Sequence, residues 1–232
     1  MAVLSTAEWQ VVALSLRIAA VGVLLALPVA LALGYALSRA RFPGKALLEA
    51  LLTLPLVLPP VVTGYALLVL FGPHGALGAP LERLGLGVAF RWRGAALAAA
   101  VMALPLLVLS LRAAFDGVDR RLEAAAATLG AGPWRRFWRV TLPLSRRGVM
   151  AGLTLAFARA FGEFGATISF VGNIPGETRT LSIALWELLN QPGSDAAVGR
   201  LVMLSLALAL LATLGVGLLR REDRSREDQR DA

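Results

Sequence analysis

Five apolar stretches, near 18–38, 47–71, 94–112, 148–170 and 200–219, dominate this chain. A hydrocarbon core about 30 Å thick takes roughly 20 helical residues to cross, and each stretch comes close to that length. In lipid, backbone N–H and C=O groups must pair within the protein, so segments of this kind fold as helices. The hydrophobic fraction is 57% and the mean hydropathy +0.71, above the usual range of soluble domains. The expected fold class is an all-α integral membrane protein with about five transmembrane helices. It forms one domain over 1–232, with a polar connecting loop at 116–147 and a charged tail at 220–232. The tail, RREDRSREDQRDA, reads as lacking regular structure.

The connections predict the orientation. With the N-terminus outside, the inner loops and tail hold 16 of the 23 basic residues and the outer loops 5. Basic residues collect on the cytoplasmic side, so this predicts a multi-pass protein of the cytoplasmic membrane with its N-terminus outside and C-terminus inside. The same asymmetry accounts for a pI near 11.4 without any role in binding nucleic acid. The opening MAVLSTAEWQ has no basic n-region and no cleavage pattern, so the first span is expected to be retained. Trp9 reads as an interfacial anchor, and Arg17 sits where its stem can snorkel.

Two spans carry features a plain packing helix does not need. TLPLVLPPVVTGY holds Pro55, Pro59 and Pro60, which remove backbone donors and kink or break the helix. Broken helices are tolerated in a membrane only against protein or a water-filled cavity. This span is therefore a candidate wall of a pathway, with Thr63 and Tyr65 as candidate lining groups. A kinked packing helix would account for any one proline, less readily for three. The fourth span, GVMAGLTLAFARAFGEFGATISFV, places Gly148 and Gly152 where another helix can approach closely. It also carries Arg159, Glu163 and Thr167 at helical spacing, with Ser169 beyond. Charges at this depth face the bundle interior. An ion pair locking helices together is the plainer reading of Arg159 and Glu163, and contact with a permeant anion is the other. Outside, Leu181, Ala184, Leu185 and Leu188 form a helical stripe expected to lie back on the bundle.

Several activities are disfavoured. There is no Cys, and the one His, His74, falls in a loop, so neither thiolate nor His-based metal sites are expected. No Gly-x4-Gly-Lys-Ser/Thr loop is present to cradle ATP phosphates. The chain is not expected to be an enzyme or to carry a cofactor.

The stretch LEAAAATLGAGPWRRFWRVTLPL, 122–144, interrupts the apolar pattern. Asp119 is placed to cap a helix from Arg120 to Leu129, and Gly130 stands where a helix ends in a left-handed residue. Pro133 suits the first turn of a second helix. Trp134, Phe137 and Trp138 share one face of it, Arg135 and Arg139 lie on another, and it is expected to stop before Leu142-Pro143. The result is a short helix–turn–helix, expected in water as a docking knob.

This stretch resembles the signature loop of ABC-importer permeases, in which EAA is followed by three residues, Gly, nine residues and Ile-x-Leu-Pro. Gly130 fills the Gly position and Val140-Thr141-Leu142-Pro143 closes the motif. The acidic position falls on Ala124, with Glu123 one residue early. FPGKALLEALLTLPLVLPPVVTGY, WRGAALAAAVMALPL and FARAFGEFGATISFVGNIPGETRT extend the likeness to nearly the whole chain and are similar to permease subunits of bacterial molybdate importers. The resemblance implies a type I permease fold and a homodimer. It implies two ATP-binding cassette subunits carrying ATP and Mg, and an extracytoplasmic molybdate-binding protein. It implies ATPase contact through the loop's Glu123, Ala124, Ala125, Leu129, Gly130, Trp134, Phe137, Leu142 and Pro143. Molybdate, tungstate and sulfate are tetrahedral dianions, so a sulfate permease is the nearest alternative. An ATP-independent secondary transporter is the alternative of another class.

Overall fold

The computed structural model describes residues 5–228, with side chains described through Leu211. All regular structure among the described residues is helical. Helix α1 is Thr6–Arg39, α2 Lys45–Val57, α3 Pro60–Phe71, α4 Gly78–Arg83 and α5 Trp92–Asp116. Then come α6 Arg120–Thr128, α7 Pro133–Arg136, a π-helical turn Phe137–Thr141 and α8 Leu142–Phe161. The last three are α9 Gly165–Val171, α10 Leu181–Leu189 and α11 Asp195–Asp228.

Helix α5 is the centre of the bundle because its residues are small. Ala95, Ala96, Ala98, Ala99 and Ala103 are fully buried, and a Cβ on Gly22 of α1 would lie 2.9 Å from the Ala96 carbonyl oxygen. Small residues let backbones approach, which is how helices gain contact where lipid is as apolar as leucine. Gly22 meets Ala96–Ala100 and Gly34 meets Val108–Arg112, so α1 and α5 run parallel. On the other side of α5, Gly148 faces Ala114 and Gly152 faces Ser110, so α8 runs antiparallel to it. The small-residue pair read in the fourth apolar stretch is thus a real helix contact.

Two of the expected spans, on α1 and α5, are helices long and apolar enough to cross a membrane. The second is broken: α2 and α3 meet at 109°, with Leu58 and Pro59 between them. Pro59 and Pro60 lack the N–H groups that would continue the ladder. Pro55, Pro105 and Pro28 stay inside helices. The fourth stretch is also split, which the helical spacing from Arg159 to Thr167 did not anticipate. Helix α8 ends at Phe161 and α9 begins at Gly165, so Thr167 is not in register with Arg159 and Glu163 on one continuous helix. The fifth stretch lies on α11, and its side chains beyond Leu211 are outside the described residues. The charged tail was expected to be irregular, but α11 continues through Asp228.

The two ends of the bundle are tied differently. At one end α11 starts beside the start of α1, where Arg200 pairs with Glu8 at 2.9 Å. There α10 lies back as its stripe predicts, with Leu181 and Ala184 packed on Val12 and Leu201. The Leu181 N–H donates to Ser15 Oγ at 2.7 Å. The opposite end carries the loop.

Candidate functional site

The loop is built much as its residues require, up to the second helix. Asp119 accepts from the Arg121 N–H at 2.9 Å and caps α6. Gly130 has φ 79°, the left-handed geometry a side chain resists, and Pro133 opens α7. The second helix does not stop before Leu142-Pro143. It passes through the π turn, where the Leu142 N–H donates to the Phe137 carbonyl, and runs on as α8. Pro143 has no N–H, and its ring would crowd the carbonyl four residues back in an α-helix. The wider π turn just before it supplies the room. The loop's second half is therefore continuous with α8 over 133–161, a path of about 43 Å at 1.5 Å per residue.

Glu123 holds this knob to the bundle. It is 8% exposed and accepts from Arg39 Nε at 3.1 Å, Arg39 Nη2 at 2.9 Å and Thr141 Oγ1 at 2.6 Å. One carboxylate thus joins the end of α1, helix α6 and the π turn. Burial by itself would raise the Glu123 carboxyl. The hydrogen bonds from Arg39 and Thr141, with the charges of Arg39 and Arg136, outweigh it and hold the carboxyl below its ordinary value. Ala124, Ala125, Leu129 and Gly130 are exposed, while Pro143 is exposed and Leu142 half-buried. Phe137 is buried edge-on against Tyr35 and Phe115 and turns toward α1, while Trp134 and Trp138 of the same face stay exposed.

At the two helix breaks, α3 and α9 run side by side in the same direction. A Cβ on Gly165 would lie 2.8 Å from Pro60 Cβ, and one on Gly64 2.4 Å from the Ala166 carbonyl oxygen and 2.8 Å from Ser169 Cβ. Glu163 sits in the α8–α9 break, 3% exposed. One oxygen takes Arg159 Nη1 at 2.5 Å and the other accepts from the Ala166 N–H at 2.9 Å. The pair inferred from sequence is present, and its carboxylate also satisfies an otherwise free donor at the start of α9. Thr63 is buried on the inner face of α3 and its hydroxyl has no protein partner. Thr167 is buried on α9, while Ser169 donates back to the Gly165 carbonyl. Tyr65 is off this face, 64% exposed, and Pro59 and Pro60 are exposed at the elbow.

Sequence reasoning did not identify Arg39 or Thr141, nor the polar belt around them. Ser38 donates to Asp116 Oδ1 at 2.6 Å, Arg112 pairs with Glu49 at 2.8 Å, and Arg120 donates to the Ser38 carbonyl at 2.9 Å. Charges at span ends are visible in sequence, but partners up to 84 residues apart are not. The outer NIPGETRT segment is similarly bonded. Glu177 accepts from the Trp92 N–H at 3.1 Å, and Arg179 pairs with Glu187 at 3.1 Å.

With two helices and one bent pair long and apolar enough to cross a membrane, and a clamped polar loop at one end, the bundle is that of an integral membrane protein. The chain belongs to the family of binding-protein-dependent transport system inner membrane components, whose model matches residues 16–227. Its relatives include the molybdenum transport system permease protein ModB of Escherichia coli (strain K12). That protein is 52% identical over 225 residues, 97% of this chain and 98% of the relative. The protein of the same name from Haemophilus influenzae is 46% identical over 208 residues, 89% and 91% of the two chains. Among solved structures, the bacterial alginate ABC transporter in complex with alginate pentasaccharide-bound periplasmic protein shares the fold. Its TM-score is 0.73 at 16% identity, over 94% of this chain and 80% of that one. The expected fold class, an all-α ABC-importer permease, is the one observed.

Proposed function

We propose that this chain is the transmembrane subunit of an ATP-driven importer that moves molybdate across the cytoplasmic membrane by alternating access. The observation that carries the mechanism is the unbroken helical path from the loop to the Arg159–Glu163 break. An ATPase pushing on the exposed surface around Ala124, Ala125, Leu129 and Gly130 moves α8 as a rod. Glu123 passes the same movement to α1. The substrate is inferred from the relatives named for molybdenum transport. The working assembly holds two copies of this chain, two ATP-binding cassette subunits with ATP and Mg, and an extracytoplasmic molybdate-binding protein. The N-terminus lies outside and the C-terminus inside.

In this reading the path runs past the α2–α3 elbow and the α8–α9 break. Thr63 offers a hydroxyl with no protein partner there, and Thr167 and Ser169 are further candidates. Hydroxyls suit a hydrated dianion in transit, since a fixed array of positive charge would hold it. The test is uptake of labelled molybdate by vesicles holding the permease with its co-purified partners, with and without ATP. Uptake should require ATP and the binding protein, with tungstate competing better than sulfate. Uptake without ATP makes the chain a secondary transporter, and equal competition by sulfate makes it a general oxyanion permease.

A further inference from the structure

A groove of about 380 Å³ lies between α1 and the loop. Pro28, Leu31 and Tyr35 form one wall, and Trp134, Phe137 and Trp138 the other. Phe137 is its fixed floor, edge-on to Tyr35 with ring centres 5.0 Å apart. Trp134 and Trp138 are its outer wall and stay 74% and 46% exposed, so something apolar belongs against them. The groove continues the exposed stripe of Leu24, Leu25 and Val29 along α1.

Its depth narrows the choice of occupant. Tyr35 and Pro28 lie 4 and 11 residues before Arg39, the last residue of α1. At 1.5 Å per residue the groove sits about 6–16 Å below that charge, at the level where acyl chains begin. A water-soluble subunit would have to reach below the headgroups to fill it. One step round the same helix, Arg135 and Arg139 are exposed, and neither forms an ion pair among the described residues. A second copy seated here would bring that bare positive strip into an apolar contact. An apolar slot walled by a helix that carries two exposed guanidinium groups in the same turns matches an anionic phospholipid, with one acyl chain in the slot and its phosphate reaching the arginines.

We propose that this groove is a binding site for an anionic phospholipid of the leaflet on the loop's side, and that the lipid holds the loop against α1. The proposal does not depend on which anion is transported. The test is native mass spectrometry of the full-length permease, with any ATPase that co-purifies, released from nanodiscs of mixed phosphatidylglycerol and phosphatidylcholine. The wild type should retain phosphatidylglycerol preferentially. The double variant R135Q/R139Q should weaken that retention by about fivefold per charge removed while leaving thermal unfolding of the lipid-free protein in detergent unchanged. Ala32 also lines the slot, and filling it with Ala32→Trp should displace the lipid by a separate route. A photo-crosslinking residue in place of Trp138 should attach to lipid. Equal retention of the two lipids, or unchanged retention in R135Q/R139Q, overturns the proposal. So does crosslinking chiefly to the ATPase or to a second copy, which would assign the groove to that protein.

Discussion

Replacing Glu123 with alanine tests the clamp between loop and bundle. The mutation leaves the Arg39 guanidinium, whose side chain is 12% exposed, without its carboxylate, and leaves the Thr141 hydroxyl without its acceptor. Removing one partner of a buried pair typically costs about 3–5 kcal/mol. The slight exposure here places the expected loss at the lower end, about 3 kcal/mol. Glu123→Gln keeps the shape and the acceptor oxygen but loses the charge, so about 1–2 kcal/mol is expected. Both can be measured by reversible unfolding in mixed micelles. A cycle with Arg39→Ala then isolates the coupling, and the double variant should be less damaged than the two single losses combined. The sign of the pH dependence follows from the lowered carboxyl. Its stabilisation is complete above the ordinary value of 4.5 and is lost as pH falls below that value through the folded-state pKa. Glu123→Gln should therefore flatten the acid limb of the stability curve. Wild-type stability in Glu123→Ala, or fully additive losses in the cycle, would refute the reasoning.

Arg159→Ala leaves Glu163 buried without its cation, and Glu163→Ala also strips the Ala166 N–H of its acceptor. Each should sharply reduce assembled protein or transport, measured by size-exclusion yield and vesicle uptake; normal behaviour of both would remove the pair from any role. In Gly130→Val the added Cβ has open space around it, but a β-branched residue is forced to φ 79°, a strain of about 1–3 kcal/mol. The helices should still insert, and retention of the ATPase on tagged permease should fall; full retention with normal uptake would make the loop a plain connector. The natural absence of cysteine allows single labels at Ser5, Ser194 and Ser225. With intact cells and an impermeant thiol reagent the first two should react and the third should not, and the reverse pattern would invert the proposed orientation.

Much of this protein is legible one segment at a time. The lengths of the apolar stretches and the high mean hydropathy pointed to a helical membrane protein. Local chemistry also placed the Asp119 cap, the left-handed Gly130, the Pro133 helix start and the Arg159–Glu163 pair, because each involves residues within four positions of one another. Gly148 and Gly152 announced a close helix contact, although only the structure shows that Ser110 and Ala114 of α5 receive it.

What the sequence did not reveal depends on where distant segments meet. Pro143 reads as a helix stop, yet a π turn absorbs it and makes the loop's second half part of α8. The helical spacing from Arg159 to Thr167 runs through Gly162 and Gly165, where α8 ends and α9 begins, with Glu163 bonded across the break. Glu123 looked displaced by one position from its motif. Only the folded chain brings Arg39, 84 residues away, and Thr141 onto its carboxylate. Hydropathy and capping act within a turn or two, so a single sequence determines them by itself. Which buried charge finds which donor is settled only when packed helices exclude water and leave one partner within reach.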